Sequence, residues 1–204
     1  MVRVAIVVLM LMGCSTGVAV LFWQQDAKYS LPTPVPADYK EVTIGQAVQL
    51  PASLGKQRAY FFHFYNPDCP CSRFNARYIQ SLIRSYRSEV AFTIVVSSEE
   101  GRQQAADTFG EDIPIVTDTQ QAIATACGVY STPQAAIVDA DGKLYYRGNY
   151  NRARYCTTKA SNFAELSLLA LLNHQPSPAF GIVATQSYGC SLPGDESSSA
   201  PILF

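Results

Sequence analysis

Apolar and polar positions follow two different periods along this chain. From Val4 to Trp23 there is no charge for twenty residues, long enough for a helix that crosses a bilayer. After a polar, proline-rich stretch the pattern changes. Glu41–Gly45 predicts a short strand, and Gln46–Gln57 a loop broken by Pro51 and Gly55. Tyr60–Tyr65 is continuously apolar and aromatic, the mark of a strand buried on both faces. Pro70–Tyr86 switches to a helical spacing with Phe74, Tyr78, Ile79, Leu82, Ile83 and Tyr86 on one face. Val90–Ser97 predicts a second buried strand, Glu100–Phe109 a weaker helix and Ile113–Thr117 a short strand. Asp118 is placed to cap a helix running to about Cys127. Gln134–Asp139 and Lys143–Arg147 read as two strands of a hairpin, joined by the turn Asp139-Ala140-Asp141-Gly142. Asn162–Asn173 closes the pattern as a helix with Phe163, Leu166, Leu169 and Leu172 in a broad apolar face. From Tyr60 the order is β–α–β–α–β–α–β–β–α, which implies parallel early strands and an antiparallel late hairpin.

Composition narrows the possibilities. Apolar residues make up 48% of the 204 and charged residues 15%, so a sizeable core is expected. The net charge of −1, with no basic stripe, argues against a nucleic-acid partner. Four segments follow: residues 1–24 as a signal anchor, 25–40 as a proline-rich spacer, 41–175 as the folded domain and 176–204 as a Pro-, Ser- and Gly-rich tail. Arg3 before the apolar run and Trp23 at its end suit a cytoplasmic start and an interfacial anchor. A lipidated Cys14, in Leu11-Met12-Gly13-Cys14, is the competing reading, and a cleaved signal peptide the third. All three place the domain beyond the cytoplasmic membrane, in the periplasm of a Gram-negative cell. Six cysteines in such a compartment are free to pair.

The chemistry concentrates at Asn66-Pro67-Asp68-Cys69-Pro70-Cys71-Ser72, where a buried strand hands over to a helix. A helix N-terminus carries unpaired N–H groups and about half a positive charge, which stabilises a thiolate. The thiolate is the nucleophile of sulfur chemistry, so a redox-active thiol is expected here.

Three features together resemble the thioredoxin-like superfamily, in particular its extracytoplasmic redoxin branch. They are the strand–Cys69-Pro70-Cys71-Ser72–helix unit, Tyr130-Ser131-Thr132-Pro133 before a strand, and the hairpin Ile137–Gly148. The resemblance covers about residues 41–175. It implies a central mixed sheet flanked by helices, a cis Pro133 facing the active cysteine, and backbone groups at Thr132 and Pro133 that receive an extended substrate. It also implies thiol–disulfide exchange with protein thiols or disulfides and with a redox partner protein, and needs no cofactor. One departure stands out. The family carries Cys-x-x-Cys, whereas Ser72 occupies the resolving position here. Cys71 is the simplest resolving thiol, and a distant cysteine working with Cys69 is the alternative.

Other residues have blander readings. Cys156 and Cys190 flank the last helix. A structural disulfide between them would pin the tail and close a loop of about 35 residues, worth roughly 3–4 kcal/mol in the chain-entropy model. The rival is that one of them exchanges electrons with Cys69. Cys127 reads as core, and His63 as a packed core residue. A non-catalytic module of the same fold that binds copper or zinc, or assists assembly of another protein, is the alternative function.

Overall fold

Strand β1 (Tyr60–Phe64) is buried along its whole length, so it needs neighbours on both edges and a layer on each face. The computed structural model describes residues 2–25, 27, 31–55, 58–152 and 158–193 and shows both. On one edge lies β2 (Ala91–Val96), parallel, with Phe61 opposite Phe92, and beyond it β3 (Ile115–Thr117), also parallel. On the other edge lies β5 (Gln134–Val138), antiparallel, with Phe64 opposite Gln134. The outermost strand, β6 (Leu144–Gly148), pairs antiparallel with β5, so the five-stranded order is β3-β2-β1-β5-β6. The parallel pairs are joined by helices α2 (Pro70–Tyr86) and α3 (Glu99–Phe109), because parallel neighbours require a crossover. The hairpin turns where expected: Gly142 adopts φ 78°, and the Asp139 carboxylate accepts the Lys143 N–H at 2.8 Å.

Alternation along β1 sorts its side chains between two cores. Phe61 joins Ile79, Leu82 and Ile83 of α2, Phe109 of α3 and Leu168 of α5 (Phe163–Leu172) on one face. Tyr60, Phe62 and Phe64 join Ile123 and Cys127 of α4 (Ala122–Cys127) on the other. The periodicity located α2 and α5 but misplaced part of their apolar faces. Phe74 is 44% exposed, and Leu166 and Leu169 are each 36% exposed while Ala164 and Leu168 are buried. α5 is apolar nearly all round, so its period gives no unique phase and the neighbouring sheet selects its buried stripe. Asp118 does cap α4, from four residues before its first residue, accepting N–H groups from Ile123 and Ala124 at 3.0 and 2.9 Å. The strand expected at Glu41–Gly45 is instead an irregular edge, where Gly45 and Val48 donate to Leu144 and Gly142 carbonyls.

Ahead of the domain, α1 (Val2–Gln25) is apolar from Val4 to Trp23, and residues 2–24 are exposed. At 1.5 Å per residue it spans about 36 Å, enough for the hydrocarbon core of a bilayer. Residues from Leu31 onward do not stand away from the domain: Thr33 and Val42 are buried, and the Tyr39 hydroxyl donates to the Gly128 carbonyl at 3.0 Å.

His63 is fully buried on β1. Its Nδ1 lies 2.7 Å from the Tyr150 hydroxyl, and the Phe109 ring meets it edge-on. Its Nε2 has no partner among the described residues. Desolvation lowers its pKa from 6.5 to about 3, so it is neutral in the fold. The unfolded chain therefore binds a proton below pH 6.5 that the folded chain refuses until about pH 3. Stability is complete above that range and falls by up to about 1.4 kcal/mol per unit as pH drops through it. Melting followed between about pH 7 and about pH 4 should show this slope, and His63→Leu should flatten it.

Candidate redox site

The turn after β1 is built by its own polar groups. The Asp68 N–H donates to the Asn66 side-chain oxygen at 2.9 Å, and the Cys69 N–H donates to the Asn66 carbonyl at 3.1 Å. Ser72, fully buried in the first turn of α2, accepts the Asn66 N–H at 3.3 Å. The hydroxyl at the expected resolving position thus holds the loop. Cys69 is the N-cap residue of this 17-residue helix, with extended backbone angles and Pro70 at the first helical position, where its missing N–H costs nothing. The positive end of the helix dipole therefore lies at Cys69.

Cys69 is bonded to Cys190, with Cα atoms 6.1 Å apart and a sequence separation of 121. This corrects two expectations. Cys71 is not the disulfide partner of Cys69; it is a buried thiol in the helix. Residues two apart on a helix do not face each other, whereas a segment crossing the helix N-terminus can meet the cap residue head-on. Nor is Cys190 available to Cys156, which lies outside the described residues. The pairing of Cys69 with a distant cysteine is the arrangement found.

The C-terminal segment reaches Cys69 as a strand. β7 (Cys190–Ser191) pairs antiparallel with β4 (Ser131–Thr132), with Thr132 opposite Cys190 and Ser131 opposite Ser191. The Leu192 N–H donates to the Tyr130 carbonyl at 3.1 Å. The Thr132–Pro133 peptide bond is cis, and the Thr132 carbonyl oxygen lies 3.5 Å from Cys69 Sγ. The expected Thr132 and Pro133 thus stand beside Cys69. What the sequence did not reveal is that the protein's own tail covers them. The segment is held on its outer side as well: the Thr33 N–H donates to the Ser187 carbonyl at 2.8 Å, and Pro32 bridges to Tyr188. Gln134 donates to the Ser187 hydroxyl at 2.7 Å. Residues 187–191 therefore lie between the proline-rich segment and β4. The readable signal was Cys190 itself, preceded by Gly189 in a Pro-, Ser- and Gly-rich tail.

Cys127 is fully buried, and desolvation, with Asp118 nearby, pushes its pKa up to about 12. It stays a protonated thiol in the core, as its neighbours in sequence implied. Among the described residues, no three His, Cys, Asp or Glu side chains gather as a metal site.

Residues 40–192 match the family model described as a domain of unknown function, DUF6436. The chain belongs to this family. No curated protein matches the sequence. Among solved structures, the DUF6436 chain is similar to a hypothetical protein from Sinorhizobium meliloti, at 20% identity and TM-score 0.62, over 76% of this chain and 96% of that one. It is equally similar to an uncharacterized conserved protein from Geobacillus kaustophilus, at 23% identity and TM-score 0.62, over 79% and 97%. A putative thiol:disulfide interchange protein DsbE from Chlorobium tepidum matches at 14% identity and TM-score 0.52, over 65% and 99%. The DUF6436 domain has the thioredoxin-like fold: a mixed five-stranded sheet flanked by helices, with a helix N-terminus and a cis proline at one site.

Non-reducing peptide mapping should recover Cys69 and Cys190 in one linked peptide pair, with Cys71 and Cys127 alkylated only after denaturation. Cys190→Ser opens a loop of 121 residues and should lower stability by up to about 5 kcal/mol in the chain-entropy model, read by denaturant titration under oxidising conditions.

Proposed function

We propose that this protein is a thiol–disulfide oxidoreductase that works outside the cytoplasm, tethered to the inner membrane by α1. The observation that carries the reading is the Cys69–Cys190 bond, which joins a helix N-cap to a strand beside the cis Thr132–Pro133 bond. Cys69 is the exchanging cysteine, and Cys190 supplies the partner sulfur that a Cys-x-x-Cys protein takes from the helix.

The steps balance as ordinary exchange. With the site oxidised, a protein thiolate attacks Cys69 Sγ. The Cys69–Cys190 bond breaks, Cys190 leaves as a thiolate, and a mixed disulfide joins Cys69 to the substrate. A second substrate thiolate then attacks its own bonded sulfur. The substrate departs oxidised, and Cys69 leaves as a thiolate stabilised by the helix N-terminus. Run backwards, the same steps reduce a substrate disulfide. A redox partner protein restores the starting state by the same chemistry. Thr132 and Pro133 border the reacting sulfur and position the incoming chain, while Cys71 is a buried second thiol in the first turn of α2.

Equilibrating the full-length protein in glutathione redox buffers, then trapping and mapping its cysteines, tests the reading. Cys69 and Cys190 should interconvert reversibly between bonded and reduced forms. Cys69→Ser should abolish exchange with a dithiol peptide, and Cys71→Ser should retain most of it. A Cys69–Cys190 bond that resists every buffer, or exchange that survives Cys69→Ser, would show the bond to be structural.

A further inference from the structure

Resting on that reading, we infer that residues 188–192 are a built-in pseudosubstrate, and that the polypeptides exchanged at Cys69 carry the same pattern: glycine immediately before the reacting cysteine and an aliphatic side chain two residues after it.

Three observations set the pattern. The cysteine register comes first. Cys190 lies opposite Thr132 in a two-residue antiparallel ladder, with its sulfur on Cys69. This is the placement an extended chain must take for its own sulfur to bond Cys69. The second is at Gly189, whose backbone crosses directly over β4. A Cβ built there would lie 2.1 Å from the Thr132 carbonyl oxygen and 3.0 Å from its carbonyl carbon, and φ is +138°. The clash is with backbone, which no rotamer change relieves, so any side chain at this position unseats the strand. The third is at Leu192. Its N–H is fixed by the Tyr130 carbonyl, and its side chain is 7% exposed in the cluster that contains Phe64, Val95, Ile123 and Ala124. A small cavity beside it is lined by Phe64, Val95 and Ala124, with the polar Ser97, Asp118 and Gln121 also on its wall. An acidic side chain there would be buried without a counter-charge.

The tail therefore fills the same edge, register and apolar hole that an incoming chain needs. Exchange is a replacement. The substrate thiolate takes Cys69 Sγ, Cys190 leaves as a thiolate, and residues 188–192 vacate β4 as the new chain seats. Chains that cannot accept the glycine and aliphatic positions cannot displace the tail's main-chain pairing and are rejected, although their thiols are equally reactive.

The test uses full-length protein in detergent carrying Cys190→Ser, with Cys69 reduced. The probes are Ser-Tyr-Gly-Cys-Ser-Leu peptides whose cysteine is activated as a nitrobenzoate mixed disulfide. Attack by Cys69 forms the Cys69–peptide disulfide and releases the aryl thiolate. The parent peptide should react about tenfold or more faster than versions with valine for glycine or aspartate for leucine, a difference of about 1.4 kcal/mol in the barrier. In the otherwise unaltered chain, Gly189→Val should make the Cys69–Cys190 bond open faster with dithiothreitol, because its strand seat is lost. Equal rates for the three peptides, or an unchanged opening rate for Gly189→Val, would overturn the pseudosubstrate while leaving exchange at Cys69 intact. If Cys69 reacts with none of the peptides, nor with glutathione activated as the same nitrobenzoate mixed disulfide, the exchange reading falls along with it.

Discussion

The register between β1 and β5 is the constraint on which the site depends. Phe64 lies opposite Gln134, so the chain leaving β1 toward Cys69 and the chain entering β5 from Thr132 and Pro133 emerge at the same end of the sheet. A slip of one residue would turn every buried side chain of β1 to the other face. It would move Phe61 out of the core with α2 and Phe62 out of the core with α4. The two aromatic layers therefore enforce the one register that sets a cysteine, a helix N-terminus and a short free strand edge side by side. Packing energy far from the sulfur decides where the sulfur sits.

That free edge is a liability as well as a resource. Unpaired N–H and C=O groups along a strand edge would accept any extended chain. Here the protein covers the edge with its own residues 187–192, and covers that segment in turn with Pro32 and Thr33. The segment that follows the apolar α1 thus contributes to the architecture of the site. Among the described residues its hydrogen bonds to the tail are few, and the Cys69–Cys190 bond cross-links the tail to the domain. A cover held by a disulfide and a short ladder loses its cross-link on reduction, which suits the proposed exchange better than permanent closure.

Much was legible from the chain alone. The buried strands, their order, the Asp-Gly hairpin and the strand-to-helix position of Cys69 follow from period, turn chemistry and helix-end electrostatics, which are local. The burial of His63 and Cys127 also followed from their apolar neighbours. The faces of α2 and α5 were less legible. Phe74, Leu166 and Leu169 share the apolar character of their buried neighbours, and only the position of the sheet separates them.

The partner of Cys69 lies at the far limit of that kind of reading. Cys71 is close in sequence, but the helix turns it away from the cap residue; Cys190 is 121 residues distant and arrives through a strand only two residues long. Nothing in the local sequence of the tail carries a strand period, because its pairing depends on β4 being exposed in the folded protein. The sequence by itself determined that a cysteine stands at a helix N-terminus on this fold behind a membrane-length helix, since spacing and hydrophobic period suffice for that. Only the tertiary structure decided which sulfur it bonds and what covers it, because those depend on segments distant in the chain meeting at one sheet edge.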